Sequence, residues 1–229
     1  MKTAITSHEF SLVTTEDIPC IKAHLKCANY EESNHNLVNM FMWQNWFPLW
    51  KYESDHYLLL LGLHNGQFFI YMPLCAREYF DEALMSAKSL FDRYDLPMVM
   101  SCFTKEAMNR AQTLIADLEI YEDRSSADYV YSHEKLMTLS GKKLQKRRNH
   151  YNAFVKEYGE RCTYIEMDED NALSCLAFLH NWKEENEDPF LHYEKMGTAF
   201  ILNHFGLFDA KGLIIKIDGE VQAFMVGSQ

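Results

Sequence analysis

The sequence has no Cys-x-x-Cys pair and no hydrophobic run long enough to cross a membrane. Its six cysteines are scattered along the chain, so their spacing suggests neither a zinc site nor a disulfide framework. We therefore expect no metal and free thiols, as in a reducing compartment. The longest apolar run, about residues 57–63, is far shorter than the ~20 residues that a membrane helix needs, and MKTAITSHEF lacks the apolar stretch of a signal peptide. These absences predict a cytoplasmic protein without an integral membrane segment.

Basic residues are outnumbered by acids, and the formal net charge is −11. This balance argues against general nucleic-acid binding, because phosphates are repelled by a negative surface. A local basic patch could still bind anions. Hydrophobic residues make up 48% of the chain and aromatic residues 14%. That composition predicts a real core and excludes bulk disorder.

Two predicted β-hairpins give the chain an apparent repeat. LLLLGLHNGQFFIYM turns at Asn65-Gly66, and LIIKIDGEVQAFM turns at Asp218-Gly219; both dipeptides are type I′ turn signals. Each hairpin follows a pair of predicted helices. The repeat predicts an α+β fold with one unit over residues 1–132 and a second over residues 133–229. Chance similarity is the alternative, because such hairpins are common.

Other segments predict further helices and strands. We expect helices in IPCIKAHLKCA, REYFDEALMSAKSLFDRYD and TKEAMNRAQTLIADL, the last with Thr104 as its N-cap. LPMVMSCF predicts a buried strand, IYEDRSSADYVYS one or two strands, and CTYIEM another strand. DEDNALSCLAFLHNWKEENE and YEKMGTAFILNHFGLF predict two later helices.

The second unit ends directly after its hairpin, whereas the first continues with helix, strand, helix and strand. We therefore expect the second unit to be incomplete, with its last strand left as an exposed apolar edge. Such an edge could pair with a second copy in a homo-oligomer. The alternative is a small domain whose sheet simply ends there.

The most unusual segment is LSGKKLQKRRNHYNAFVKEYG, residues 139–159. It gathers five basic residues into seven positions without an acid, and it predicts a helix that begins near Gly141 and has Gly159 as its C-cap. Apolar residues recur on one face, and the spacing puts Arg147 and Arg148 on that core-facing arc. An arginine there needs a partner. Each arginine either forms an internal ion pair with an acid or lies at the floor of a pocket. Such a pocket would bind phosphate, carboxylate or a nucleic-acid backbone. The five basic residues are Lys142, Lys143, Lys146, Arg147 and Arg148.

Candidate site residues follow from this segment and from HNWKEENE. Asn149 could donate to a carbonyl or phosphate beside Lys143, Arg147 and Arg148, with Lys142, Lys146 and Trp182 at the rim. His150 and Glu184 are candidates for a catalytic base. The alternatives are a surface histidine and a solvated acidic face. His180 and Glu184 have the spacing of a metal pair, but two ligands do not make a site.

The residues also resemble a known family. DYVYSHEKLMTLSGKKLQKRRNHYNAFVKEYG resembles a hallmark of bacterial proteins related to the C-terminal domain of phosphatidylglycerol lysyltransferase, and ESNHNLVNMFMWQNW and DGEVQAFMVGS are similar to two further signatures. The resemblance implies a tandem acetyltransferase-like (GNAT) fold. In characterised relatives this domain moves an aminoacyl group from charged tRNA to a lipid head group. The relatives usually continue past the equivalent of Gln229.

One departure concerns the donor. Acyl-CoA users of this superfamily have a loop of pattern Q/R-x-x-G-x-G/A, which binds pyrophosphate through backbone N–H groups. The corresponding YMPLCAREYF has no glycine. We expect a soluble acyl- or aminoacyl-transferase with aminoacyl-tRNA or acyl-CoA as donor and an amine or hydroxyl acceptor. Its partner would be tRNA or an anionic small molecule. The alternative is a non-catalytic binding or regulatory protein that retains the fold.

Overall fold

The computed structural model describes residues 9–182 and 189–228. The chain forms two compact units, the first from described residues 9–122 and 189–201, the second from residues 123–182 and 202–228. Each unit combines helices with its own antiparallel sheet. The predicted division between residues 132 and 133 stays a prediction.

The first unit contains a five-stranded sheet of order β1-β2-β3-β4, with β5 pairing with β3. Strand β3 is apolar along most of its length and is buried at Leu58 and Leu59. The β3–β4 turn has positive φ at Asn65 (50°) and Gly66 (79°), which confirms the predicted type I′ hairpin. The strands are β1 Ser11–Leu12, β2 Leu49–Glu53, β3 Tyr57–His64, β4 Gln67–Ile70 and β5 Leu74–Cys75.

Four helices of this unit precede residue 122. They are α1 Ile18–Ala28, α2 Leu37–Met42, α3 Phe80–Arg93 and α4 Lys105–Leu114. Helix α3 places Ala83, Ala87, Leu90 and Phe91 in the core with the β3 side chains, as expected for one apolar face of a helix. The Thr104 side chain accepts a hydrogen bond from the Ala107 N–H, so the predicted N-cap of α4 is confirmed.

The second unit is built around a three-stranded sheet of order β6-β7-β8. Ile214 in the central strand is fully buried, together with Cys175, Leu179 and Phe205 from the helical segments of this unit. Its turn at Asp218 and Gly219 has φ of 54° and 85°, which confirms the second predicted hairpin. The other helices and strands of this unit are α5 His133–Thr138, α6 Gln145–Tyr158, β6 Cys162–Met167, α7 Glu169–Ala172, α8 Cys175–Asn181, β7 Lys211–Ile217 and β8 Glu220–Gly227. Helix α9, Pro189–Asn203, belongs to the first unit up to Ile201.

Two predicted strand segments and one helix differ from the structure. LPMVMSCF forms only a single bridge, between Met100 and Ile70. IYEDRSSADYVYS contains a 3₁₀ turn at Arg124–Ser126 and no strand; Val130 is 92% exposed. Strand-forming residues need a partner strand, and local composition does not supply one. The helix predicted after Asp168 is divided into α7 and α8.

The lengths of the helices bear on membrane insertion. Over the ranges 9–182 and 189–228, none of them combines the length and the apolar character that a bilayer-crossing helix requires.

Candidate functional site

The basic segment forms a sharp turn that leads into helix α6. Leu139 (φ 46°) and Gly141 (φ 89°) are left-handed, and a 3₁₀ turn at Lys142–Leu144 follows. The Arg148 guanidinium donates to the Leu139 carbonyl and, at 3.3 Å, to the Gly141 carbonyl. Arg148 therefore fastens the turn from which the basic helix begins.

The start of α6 is a concentration of unbalanced positive charge. Lys142, Lys143, Lys146 and Arg147 are all exposed, and within the described residues no acid forms an ion pair with any of them or with Arg148. The first turn carries no acid, and neither Gly141 nor Leu144 provides a side-chain cap. The partial positive charge of a helix N-terminus adds to the cations. The arrangement is suited to anions.

The expected core-facing position is wrong for Arg147 and only partly met by Arg148. Arg147 is exposed and Arg148 is half-buried, because α6 contributes no buried residue among those described. Two of its predicted core-facing residues, Tyr151 and Val155, are 56% and 42% exposed. In the described part of the chain neither arginine pairs with an acid. The binding roles of Lys143, Arg147 and Arg148 stay predictions for an open surface.

The remaining candidates lie nearby in sequence or in the same unit. Asn149 and His150 are exposed on α6, and Trp182, directly after α8, is 47% exposed. Lys142 and Lys146 are solvated, as expected for rim residues. Glu184 lies outside the described residues. The catalytic and rim assignments stay predictions.

An exposed apolar sheet face was missed by the sequence analysis. The strand registers put Tyr164 opposite Ile215 and Leu213 opposite Met225, so the four side chains share one face. Tyr164 and Met225 are 55% and 63% exposed. The pKa of Tyr164 is raised, mainly by a side-chain hydrogen bond with Cys162 and to a smaller extent by the nearby Tyr151 of α6. The sequence signal that could have indicated this face is the run of apolar residues at successive positions of LIIKI.

The position expected to bind pyrophosphate in acyl-CoA users has the opposite character. After β5 the chain enters a 3₁₀ turn containing Glu78, and α3 carries Asp81 and Glu82 in its first turn. Arg110 is paired with Asp81. Acids at a helix N-terminus already interact with the positive end of the helix dipole, and they repel a further anion. This helix start is therefore unsuited to a pyrophosphate.

Known proteins are similar to this chain over most of its length. The family model described as the C-terminal region of phosphatidylglycerol lysyltransferase matches residues 27–229. A conserved protein of unknown function from Bacteroides thetaiotaomicron has a similar solved structure, with a TM-score of 0.84 and 23% identity over 95% of this chain and 74% of that chain. The structure of L-PGS from Bacillus licheniformis has a TM-score of 0.54 and 14% identity, covering 90% of this chain and 62% of that chain.

An uncharacterised protein of Mycoplasmoides gallisepticum is 40% identical over 81 residues, which is 35% of this chain and 26% of that protein. The chain thus matches about a quarter of this curated relative and less than two thirds of L-PGS. The structural similarities confirm the predicted α+β fold class and its likeness to the lysylphosphatidylglycerol synthetase domain.

Proposed function

The chain belongs to the phosphatidylglycerol lysyltransferase C-terminal family, which implies a transferase-type function, and on this premise we propose that it is an aminoacyltransferase whose donor is a charged tRNA. The acceptor is an amine or a hydroxyl, and the family name makes the hydroxyls of phosphatidylglycerol the first to test.

The observation that carries this proposal is the exposed basic start of α6. A tRNA backbone is an extended array of phosphates, so it requires an open cationic surface rather than a closed pocket. Lys142, Lys143, Lys146 and Arg147 provide such a surface, and among the described residues no acid forms an ion pair with them. Because the rest of the chain is strongly acidic, attraction for polyanions is concentrated here.

The same charges favour tRNA over acyl-CoA as the donor. The first-unit position that would bind a pyrophosphate carries Glu78, Asp81 and Glu82. A pyrophosphate placed there would meet carboxylates instead of free N–H groups. The basic surface at α6 imposes no such repulsion.

The proposed reaction transfers the acyl group of an existing ester. The acceptor oxygen or nitrogen attacks the ester carbonyl, a new acyl bond forms, and the tRNA 3′ end leaves as a hydroxyl that takes up the proton. Because the ester is already activated, orientation supplies most of the acceleration. A general base assists, and His150 and Glu184 are the residues that we propose for that role. Arg148 holds the turn from which the basic helix begins.

Binding of tRNA as a function of salt tests the donor. Reversing three charges with Lys142→Glu, Lys143→Glu and Arg147→Glu should remove about three phosphate contacts. The slope of log K against log salt, which is negative, should then become smaller in magnitude by about three. A matched triple variant on other exposed lysines, Lys26→Glu, Lys105→Glu and Lys211→Glu, changes the net charge equally and should keep most of the slope. Equal losses in both variants would contradict a specific surface.

Transfer itself is measured with radiolabelled aminoacyl-tRNA and vesicles containing phosphatidylglycerol, and separately with a small amine. Labelled lipid or labelled amine supports the transferase. Tight binding of charged tRNA without product from either acceptor would instead support the non-catalytic alternative and overturn the proposal. Uncharged tRNA serves as the control for binding that ignores the aminoacyl group.

A further inference from the structure

Three side chains of the first unit, none of them used by the proposed function, form a group with the composition of a metal site. They are Cys20, His24 and Glu53. We propose that these residues bind a zinc ion, with the thiolate, one imidazole nitrogen and one carboxylate oxygen as ligands and a water molecule in the fourth position.

The fold brings the three ligands together from two elements. Cys20 and His24 are four residues apart on α1, so they project from the same helix face. Glu53 is the last residue of β2. One ligand atom from each residue lies within 4.8 Å of the other two, and Cys20 Sγ is 3.2 Å from Glu53 Oε1. Zinc–sulfur and zinc–oxygen bonds of standard length put these two atoms about 3.5 Å apart in a tetrahedral site. The Cys20–Glu53 pair is therefore already close to the separation that a shared zinc ion requires.

Nearby charges leave the relevant oxygen available. The Lys51 ammonium contacts the other carboxylate oxygen, Glu53 Oε2, at 3.2 Å and Asp17 Oδ1 at 2.9 Å. Glu53 Oε1 is thus directed at the thiol, not at the lysine. With the thiol ionised, three negative groups and one ammonium give the site two net negative charges. A divalent cation would neutralise them.

The chemistry of the ligands selects the kind of metal. A thiolate and an imidazole are poor ligands for magnesium or calcium, which prefer oxygen, and suitable ligands for zinc. Cys20 and His24 are half-buried and Glu53 is exposed, which leaves a route from solvent and room for a water ligand. Three protein ligands with one open position is a recurrent zinc arrangement.

Without a metal the group is a set of hydrogen bonds. The Cys20 thiol donates a hydrogen bond to Glu53 Oε1 at 3.2 Å. A zinc ion must displace this proton, because the thiolate is the ligand. Zinc binding near neutral pH should therefore release about one proton per ion. Binding through carboxylates and histidine alone would release none from the thiol.

Competition with a chromogenic chelator measures the affinity and stoichiometry for zinc. The metal-free protein should bind one zinc ion per chain, and Cys20→Ser, His24→Ala or Glu53→Gln should each weaken binding at least tenfold, as for loss of a ligand. Cys27→Ser, an exposed cysteine on the same helix, and His133→Ala, an exposed histidine of α5, are the controls and should bind as the unmodified chain does.

Cobalt provides an independent readout that does not depend on affinity. The unmodified chain should give the thiolate-to-cobalt charge-transfer absorption, and Cys20→Ser should lack it while its circular dichroism shows that it folds. Glu53→Gln preserves the side-chain shape and should lower the affinity for the metal without unfolding α1. Absence of stoichiometric zinc, or binding that survives all three ligand variants, would overturn the site. Neither measurement involves tRNA, so the outcome is independent of the proposed transferase.

Discussion

His35 is a buried titratable residue without a hydrogen-bond partner. It is 4% exposed, and within the described chain neither ring nitrogen is hydrogen-bonded. Tyr30 and Tyr71 contact the ring edge-on, at centroid distances of 5.1 and 6.3 Å. The nearest carboxylate, Glu32 Oε2, is 3.7 Å from Nδ1, too far for a hydrogen bond. Desolvation therefore dominates and lowers the pKa of His35 to about 4.

This pKa predicts a loss of stability in weak acid. The unfolded chain binds a proton with a pKa of about 6.5, above that of the folded histidine. The unfolded state therefore holds more protons between these values, and the free energy of unfolding falls as pH drops from about 6.5 to about 4. Between pH 7.5 and pH 5 the contribution of His35 should fall by about 2 kcal/mol.

Urea unfolding at the two pH values measures the effect. His35→Phe removes the titration while keeping an apolar ring, so its loss of stability between pH 7.5 and pH 5 should be smaller than that of the unmodified chain by about 2 kcal/mol. His133→Ala changes an exposed histidine and should leave the pH dependence as it was. An equal loss in His35→Phe and the unmodified chain would show that other groups carry the effect.

The same scale shows why the zinc ligands were not predicted. Cys20 and His24 have helical spacing and could have been paired from the sequence. Glu53 is distant in sequence and belongs to β2, which the sequence analysis did not predict. This strand begins at Leu49, within the aromatic segment FMWQNWFPLW. A third ligand supplied by tertiary pairing is invisible to spacing alone.

At the scale of elements, α6 shows that sequence periodicity predicts the extent of a helix but not which of its faces is buried. The predicted segment and the observed helix agree closely in extent. Gly159 is the C-cap, as predicted, and its φ of −53° is right-handed, whereas the positions with positive φ are Leu139 and Gly141 at the other end. Apolar spacing predicted a core-facing side for α6, but Tyr151 and Val155 on that side are exposed. A sequence specifies a helix locally, and tertiary packing decides which glycine is needed and which face is buried.

Gly141→Ala should therefore damage the start of the basic helix. An alanine at φ 89° costs about 1–3 kcal/mol, and the turn held by Arg148 should open. We expect a lower melting temperature and weaker tRNA binding, although no charge has changed. Both are measured on the same protein sample, by thermal unfolding and by tRNA titration at low salt.

Gly159→Ala is the matched control at the opposite end of α6. Its backbone is already right-handed, and an added Cβ would meet only a Val155 side-chain atom at 3.4 Å, an ordinary contact. Stability should stay the same or rise by about 0.4–1 kcal/mol, with tRNA binding unchanged. Equal behaviour of the two variants would argue that the Gly141 turn has no role in positioning the basic residues.

Whether a predicted strand forms also depends on both its local sequence and a pairing partner elsewhere in the chain. Both hairpins formed as predicted, because a hairpin carries its own partner across a short turn. CTYIEM also became a strand, β6, although its partner is the distant β7. LPMVMSCF and IYEDRSSADYVYS have comparable composition and form no strand in the described chain. Their pairing would have to come from elsewhere in the molecule. Composition alone could not distinguish these cases.

For the whole molecule, charge and exposed apolar surface act in opposite directions on self-association. The net charge of −11 favours separate chains. In the second unit, by contrast, β8 is an edge among the described strands, and Met225 on it is 63% exposed beside Leu213. An unpaired apolar edge strand promotes pairing with another chain.

We therefore predict that the chain self-associates through β8, and that salt strengthens this association because it screens the net repulsion. Sedimentation velocity over a range of concentrations should show a monomer–dimer equilibrium. Met225→Lys places a charge on the strand and should shift the equilibrium to monomer. Met85→Lys, at a methionine of α3 that is 42% exposed, adds the same charge elsewhere and should leave the dimer intact. A chain that stays monomeric at all concentrations and salts would exclude the association. A dimer that persists in Met225→Lys but not in Met85→Lys would place the interface away from β8.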